Sequence, residues 1–341
     1  MPQLTAQFRQ ALSNIEPTDE DKANAPEAHQ EVREVLVADG TLSGWGLNPV
    51  LIGSYKRHVS IRRMKDVDLF GRLEDLPRQV EPAELLKEFE RVLKAEFGGD
   101  RVARQARSLQ VAFPDLDGLY VDAVPARPWT SPHGEKAWQL PKRGEDGWQA
   151  TNPERLTELT SELNNEFNKL YVPVVKLLRQ TRRSLMGQKK PGGLTIEIAA
   201  MLAFQSGDVT GTTVGDLYVS ALRKTGDLLY NAFVLSHGLE DPTLTGERLH
   251  VRGEDADKQA LATAFIDAGA RAQDALDADA DDKCTAAKAF RDILGKAVDD
   301  QGSQDYVFPM PDDCNLNGTR KDFTRVRAGD AQVAGGDRRF G

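Results

Sequence analysis

Cysteine and long apolar runs are scarce in this sequence, and each absence excludes a class of protein. Of the 341 residues only Cys284 and Cys314 are cysteines, without the paired spacing of a zinc site or the density of a disulfide scaffold. We therefore predict two buried or bystander thiols. No apolar run approaches the ~20 residues of a membrane span, and the start, MPQLTAQFRQ, lacks the apolar stretch of a signal peptide. These features predict a cytoplasmic protein without a membrane partner.

Positive charge and the common nucleotide-binding loops are also lacking. Lys and Arg number 44 against 53 Asp and Glu, which gives a net charge of -9. Binding of duplex nucleic acid through a globally basic surface is therefore disfavoured. Neither a G-x-G-x-x-G nor a Walker-type loop occurs, which excludes dinucleotide oxidoreductases and P-loop enzymes. With 40% hydrophobic and 28% charged residues, the composition is that of a globular protein.

Hydrophobic periodicity divides the chain into two halves. Residues 1–45 show helical spacing after Pro26, which is interpreted as a helix breaker, and short apolar runs then surround one amphipathic helix over 82–97. This small α/β unit ends near Pro125–Pro128. From Asn152 onward the pattern is helical, with segments predicted at 153–169, 171–187, 194–206, 213–236, 254–277 and 283–298.

We predict an α+β fold of two lobes, in keeping with a length of about two domains at roughly 150 residues each. Polar segments rich in Gly and Pro, 131–147 and 238–253, are predicted to be loops. The boundaries that follow place a mixed core with N-terminal helices in 1–150, a helical domain in 151–310 and a flexible tail in 311–341.

Three carboxylates carry the clearest chemical signal. The segment Ile52-Gly53-Ser54 is followed, after eleven residues, by Asp66-Val67-Asp68. Residues i and i+2 of a strand share a face, so Asp66 and Asp68 project together. Their repulsion is relieved by a hard divalent cation, and oxygen ligands favour Mg²⁺ or Mn²⁺. If the apolar strand that carries Asp122 pairs beside the first, the three carboxylates converge, a set that supports phosphoryl or nucleotidyl transfer with two metal ions.

Two basic segments point to phosphate as the ligand. Gly53 lets a phosphate approach the backbone, and Ser54 opens a predicted helix over 55–61 whose N–H groups favour an anion. No acidic residue lies between Gly53 and Asp66 or within 172–193. Each piece also has an ordinary structural explanation, namely a turn, a solvated strand edge or a solvated helix face. Tyr171 is compatible both with base stacking and with core packing.

Taken in order, these motifs resemble the DNA polymerase beta-type nucleotidyltransferase superfamily, whose mark is a Gly-Ser turn, a spacer and a D-h-D pair. Within it the sequence most resembles the cGAS/DncV-like nucleotidyltransferases (CD-NTases) of bacterial CBASS antiphage signalling. The features shared with that branch, over roughly residues 1–310, are Gly53–Arg57, Val121–Pro125, Thr151–Glu154 and Val174–Arg179. The resemblance implies a polymerase beta-like core joined to a C-terminal helical bundle, with nucleotides in the cleft between them.

The resemblance also implies roles for individual residues. Asp66 and Asp68 would bind two Mg²⁺ or Mn²⁺ ions, Asp122 would complete one metal site, and Gly53 with Ser54 would hold the triphosphate. Related enzymes place a triphosphate-binding Lys on the next helix. Here Lys176 and Arg179 are both candidates, and Gly192-Gly193 stands where a Ser is expected.

The implied product is a cyclic di- or trinucleotide second messenger, made from ATP or from GTP, UTP or CTP with release of pyrophosphate. Implied partners are an effector protein that binds the product and a ubiquitin-like conjugation enzyme acting on the terminal Gly341. Two alternatives remain at this point. One is a linear, RNA- or protein-directed nucleotidyltransferase, and the other is a catalytically silent nucleotide-binding protein.

Overall fold

A computed structural model describes residues 4–62, 66–143, 146–298 and 304–321. Its helices are α1 Thr5–Ile15, α2 Asp19–Ala38, α3 Gly40–Gly44, α4 Gly53–Lys56, α5 Pro82–Phe97, α6 Pro153–Glu166, α7 Tyr171–Met186, α8 Gly193–Gln205, α9 Val214–Phe233, α10 Asp255–Asp277 and α11 Lys283–Leu294. Its strands are β1 Leu47–Ile52, β2 Asp66–Leu73, β3 Val102–Arg104, β4 Leu109–Phe113, β5 Leu119–Thr130, β6 Lys136–Pro141, β7 Trp148–Thr151, β8 Lys296–Val298 and β9 Gln304–Tyr306. Among the described residues, no helix is long and apolar enough to span a bilayer.

The sheet of the first half runs β1-β2-β5-β4-β3, and β6 and β7 extend it from the second part of β5. Only the pairing of β2 with β5 is parallel in this sheet. Helices α2 and α5 cover one face, where the predicted stripe of α5 is buried with the inward residues of β2 and β5. The opposite face of β2 and β5 is left for the site described below.

The strand β5 is longer than the sequence pattern predicts. It continues through Pro125 and Pro128 to Thr130, and β6 and β7 follow inside the segment 131–147, so the predicted end near Pro125 and the predicted loop are wrong. At each proline β5 has a neighbour on one side only, β2 at Pro125 and β6 at Pro128. A missing N–H is tolerated where no second strand needs it.

The helical half follows the prediction closely. Helices α6 to α11 begin and end within a few residues of the predicted bounds. Their shared core is built around fully buried aromatic side chains, Tyr171, Tyr218, Phe265, Phe290 and Phe308. The predicted loop over 238–253 contains no helix or strand, only an isolated bridge between Glu240 and Arg248.

The helices of the first half depart from the prediction in three ways. Helix α1 packs with the helical half and not with the sheet, because Phe8 places its ring 4.9 Å from Phe290 and 5.0 Å from Phe308. Pro26 does not break a helix, since it lies inside α2. The predicted helix over 55–61 is also wrong, because α4 ends at Lys56 and His58 adopts a positive φ of 59°.

Cys284 and Cys314 form a disulfide, with 5.3 Å between their Cα atoms, so the prediction of two unpaired thiols is wrong. The bond joins the start of α11 to residues 311–321, which the sequence assigns to a flexible tail. That segment is a hydrogen-bonded loop, in which Asn315 N–H donates to Thr319 O and Lys321 N–H donates to Asp313 O, both at 2.8 Å. Gly341 and the rest of 322–341 lie outside the described residues.

The disulfide should stabilise the helical half measurably. Closing a loop of this length is expected to contribute about 2–4 kcal/mol to the free energy of unfolding. The double variant Cys284→Ser/Cys314→Ser should therefore unfold at lower urea concentration than the oxidised wild type. Wild-type protein in excess reductant is the matched control and should approach the variant, whereas three coincident urea curves would contradict the bond.

Candidate active site

A cavity of about 300 Å³ lies between the sheet and the helical half. The sheet contributes Asp66, Asp68 and Asp122 to its wall, and Gly53 lies at the start of α4. The helical half contributes Leu156 of α6, Leu194 and Ile198 of α8, and Asp241, Thr243, Leu249 and Arg252 of the loop 238–253. The cavity is therefore shaped by both halves of the chain.

The three aspartates lie on one face of the sheet. In the parallel ladder of β2 and β5, Asp68 stands directly opposite Asp122, and Asp66 stands two residues before Asp68. The side chains between them point to the other face, where Val67 and Val121 are fully buried. The strand pairing on which the convergence of the carboxylates depends is thus present.

Burial and mutual repulsion raise the pKa of two of these carboxylates, Asp68 and Asp122. Burial, followed by the charges of Asp66 and Asp122, raises the pKa of Asp68 to about 7. Burial, followed by the charge of Asp66, raises the pKa of Asp122 to about 6. The Oδ1 atom of Asp122 is buried and finds no hydrogen-bond partner among the described residues. Nearby arginines offset the burial and the mutual repulsion of Asp68 and Asp122 only in part.

This donor set fits a hard divalent cation. It consists of carboxylate oxygens alone, and one buried oxygen lacks a partner. In the described part of the chain, no three His, Cys, Asp or Glu side chains are already arranged to hold a metal ion. Asp66 is the exposed member at the start of β2, so its carboxylate is the one with most freedom to turn toward a cation.

Gly53 is required by its surroundings. Its φ is +76°, and a Cβ built there would lie 2.8 Å from Cγ of Asp68. Only glycine combines this backbone conformation with so close an approach of the carboxylate. Ser54 follows in α4 and is not among the residues that line the cavity, but its Oγ accepts a hydrogen bond of 3.0 Å from Ser60 Oγ.

Four arginines line the same cavity: Arg57, Arg107, Arg143 and Arg252. Burial lowers the pKa of Arg107, and the charges of Arg143 and Arg252 lower it further. Burial and, after it, the charge of Arg252 lower the pKa of Arg143. These cations repel one another, so an anion among them would relieve the repulsion. The sequence pattern missed the last three, because they lie in connecting segments that only the fold brings together.

The two basic candidates of helix α7 do not line the cavity. Lys176 is buried, and its Nζ lies 2.5 Å from Oε1 of Glu16. Arg179 donates to Oε2 of Glu197 at 3.4 Å. Burial lowers the pKa of Arg179, and the negative charges of Asp66 and Asp68 oppose that shift. Of the two, Arg179 is therefore the residue whose pKa is affected by Asp66 and Asp68.

The sequence pattern also pointed to Tyr171 of α7 and to Gly193 at the start of α8. Tyr171 is fully buried, with its ring 4.9 Å from that of Phe204, so the base-stacking alternative is wrong and Tyr171 is a core residue. Gly193 lies against Arg179: a Cβ at Gly193 would be 2.9 Å from Arg179 Cζ. The guanidinium thus occupies the space beside the residue where related enzymes are expected to carry Ser.

Comparison with known proteins accounts for this geometry. Residues 2–164 match the family described as the Second Messenger Oligonucleotide or Dinucleotide Synthetase (SMODS) domain. A cyclic AMP-AMP-AMP synthase of Acinetobacter sp. is 27% identical over 300 residues, 85% of this chain and 83% of that protein. In sequence and in fold the chain is similar to the CD-NTases, the cGAS/DncV-like nucleotidyltransferases.

Solved CD-NTase structures share the fold. CdnC of E. coli MS115-1, solved with ATP, superposes with a TM-score of 0.65 at 20% identity over 85% of this chain and 97% of its own. CdnG of Bradyrhizobium diazoefficiens, solved with GTP, gives a TM-score of 0.63 at 14% identity over 80% and 91%. These comparisons confirm the predicted family and the predicted α+β fold. They also confirm the predicted enzyme class, a nucleotidyltransferase that makes an oligonucleotide second messenger.

The raised pKa of Asp68 predicts a stability that depends on pH. The folded chain keeps a proton on Asp68 up to about pH 7, whereas an unfolded chain releases it near pH 3.9. Stability is therefore fully present at low pH and is lost as the pH rises through this window. Asp68→Asn removes the loss, and we expect it to stabilise the metal-free protein at pH 8 by on the order of 1–3 kcal/mol.

Urea unfolding in a metal chelator at pH 8 and pH 5.5 measures this effect, and the gain should shrink at pH 5.5. The matched control is Asp115→Asn, which neutralises an exposed aspartate in the turn before β5 and should show no such gain. A destabilised Asp68→Asn at pH 8 would contradict the proposed repulsion.

Proposed function

We propose that this chain joins ribonucleoside triphosphates into a cyclic di- or trinucleotide second messenger for antiphage defence, with release of pyrophosphate at each bond. One observation carries the proposal. The parallel pairing of β2 with β5 sets Asp122 beside Asp68, in a cavity whose remaining wall brings Arg107, Arg143 and Arg252. Carboxylates and cations that line one cavity suit a substrate that combines a reactive hydroxyl with a triphosphate.

Each chemical step is a displacement at phosphorus. A ribose hydroxyl oxygen of one nucleotide bonds to the α-phosphorus of another, the bond from that phosphorus to the bridging oxygen breaks, and pyrophosphate leaves with the electron pair. Asp122 takes the hydroxyl proton, because it lies on the strand beside Asp68 and its pKa of about 6 leaves it ionised at neutral pH. Repetition of this step and a final intramolecular step close the ring.

The aspartates would also hold metal. Asp66, Asp68 and Asp122 would bind one or two Mg²⁺ or Mn²⁺ ions, which would neutralise the carboxylates and the triphosphate and lower the pKa of the attacking hydroxyl. Gly53 leaves room for the carboxylate of Asp68. Ser54 would donate its hydroxyl hydrogen to a phosphate oxygen, a bond that is compatible with its oxygen accepting from Ser60.

The choice of substrates follows the relatives. The Acinetobacter relative is named for a product built from AMP alone, which supports ATP as a substrate here. The Bradyrhizobium neighbour was solved with GTP, which supports GTP as a candidate, whereas UTP and CTP stay predictions. The product-binding effector and the conjugation enzyme acting on Gly341 stay predictions, and Gly341 lies outside the described residues.

Product analysis tests the proposal. Purified protein is incubated with ATP alone and with ATP plus each other ribonucleoside triphosphate, in Mg²⁺ or Mn²⁺, and the products are treated with phosphatase and identified by mass spectrometry. We expect a phosphatase-resistant ring and one pyrophosphate per bond. Asp66→Asn/Asp68→Asn and Asp122→Asn should each lower the rate at least ~100-fold, and Asp115→Asn should not.

Other products would identify the alternatives. A product with free ends, or one that forms only on an added RNA or protein, would indicate a linear or acceptor-directed nucleotidyltransferase. Thermal stabilisation by triphosphate and metal without turnover would indicate a catalytically silent nucleotide-binding protein.

A further inference from the structure

A buried ion pair joins the two halves of the chain behind the cavity. The Nε of Arg57, just after α4, donates to Oε1 of Glu197 in α8, and its Nη2 donates to Oε2 at 3.1 Å. Arg57 is 5% exposed and Glu197 is 0% exposed. Arg179 adds a longer hydrogen bond of 3.4 Å to Oε2 of Glu197. Both carboxylate oxygens of Glu197 are thereby used by arginines.

Stability alone does not explain this arrangement. Removing two charges from water is unfavourable, and apolar side chains of similar volume often serve a buried contact as well or better. A bidentate pair of arginine and carboxylate does supply what apolar packing lacks, a fixed orientation of the guanidinium plane. The geometry of Arg57 is therefore the property that Glu197 controls.

Arg57 connects this pair to the reaction site. Its guanidinium lines the cavity, and its charge acts on Asp68. Its backbone N–H donates to Gly53 O at 3.3 Å, so the residue also closes the turn that carries Gly53 and Ser54. Glu197 does not line the cavity and lies behind Arg57. Glu197 therefore acts on a bound nucleotide through the arginines that it holds, chiefly Arg57, which lines the cavity.

We propose that Glu197 is a positioning residue for nucleotidyl transfer: it holds Arg57 in the cavity wall through two hydrogen bonds and ties the Gly53–Ser54 turn to α8. Without the carboxylate, the Arg57 guanidinium is released beside the aspartates of β2 and β5, where it pairs with Asp68 and competes for the group that the reaction needs. This role rests on the proposed function, because it concerns the same cavity and the same step.

Glu197→Gln tests the role, since it keeps the shape of the side chain and removes its charge. Steady-state kinetics with ATP are measured well below the melting temperature of each variant, so that all of the protein is folded. We expect kcat to fall ~10- to 100-fold, the size of effect that a small misplacement of a catalytic group produces, with KM changed by less than about threefold. Glu197→Asp retains the charge and should recover part of kcat.

A matched control separates positioning from folding. Gln180 is also fully buried, in α7, and donates to Leu294 O at 2.8 Å without lining the cavity. Gln180→Met should lower the melting temperature and leave kcat unchanged. Wild-type kcat in Glu197→Gln, with only a lower melting temperature, would overturn the proposal.

If Glu197→Gln does not fold, Arg57→Lys and Glu197→Asp decide the question, because the first keeps the charge without the planar fork of donors and the second draws the carboxylate back by one methylene. Wild-type kcat in both would overturn the positioning role, and a reduced kcat in both supports it. Wild-type protein is assayed alongside. A wild type without turnover counts against the proposed function, whereas an active wild type with fully active variants counts against the role of Glu197.

Discussion

Three carboxylates on one face of two paired strands repel one another, and the cavity is organised around that repulsion. The parallel ladder of β2 and β5 fixes Asp68 and Asp122 on one face of the sheet. The residues that alternate with them are buried against α2 and α5 on the other face: Val67, Leu69, Val121 and Ala123. Slipping the register by one residue would bury the carboxylates and expose the apolar set. Hydrophobic burial on one face thus forces the electrostatic strain on the other.

Cations from distant parts of the sequence surround this charge without neutralising it. Arg57 and Arg107 lower the pKa of Asp68, yet burial and the neighbouring carboxylates still outweigh them. The loop 238–253 brings Arg252 to the cavity and is anchored to the β5–β6 hairpin, where Thr245 Oγ1 donates to Glu135 Oε1 at 2.7 Å. The two halves are therefore joined at two separate places, by Arg57 with Glu197 and by Thr245 with Glu135.

Local sequence information was sufficient for the features that depend on local periodicity. The D-x-D alternation, the apolar stripe of α5 and the helices after Asn152 all repeat at the period of their own element, so they were predictable. Features that depend on tertiary neighbours were not. Pro125 and Pro128 indicated an end to β5 because a sequence does not show which side of a strand lacks a partner. The disulfide and the cavity arginines likewise arise from residues brought together only by the fold.

The contact between Arg179 and Gly193 links two positions that are far apart in the sequence. Any side chain at 193 would force the guanidinium away from Glu197, because even a Cβ there would approach Arg179 Cζ to 2.9 Å. A hydroxyl-bearing side chain at the start of α8 therefore requires the Arg179 guanidinium to move to another position. In a relative with Ser there, the side chain at 179 would have to be shorter or to give up its hydrogen bond to Glu197.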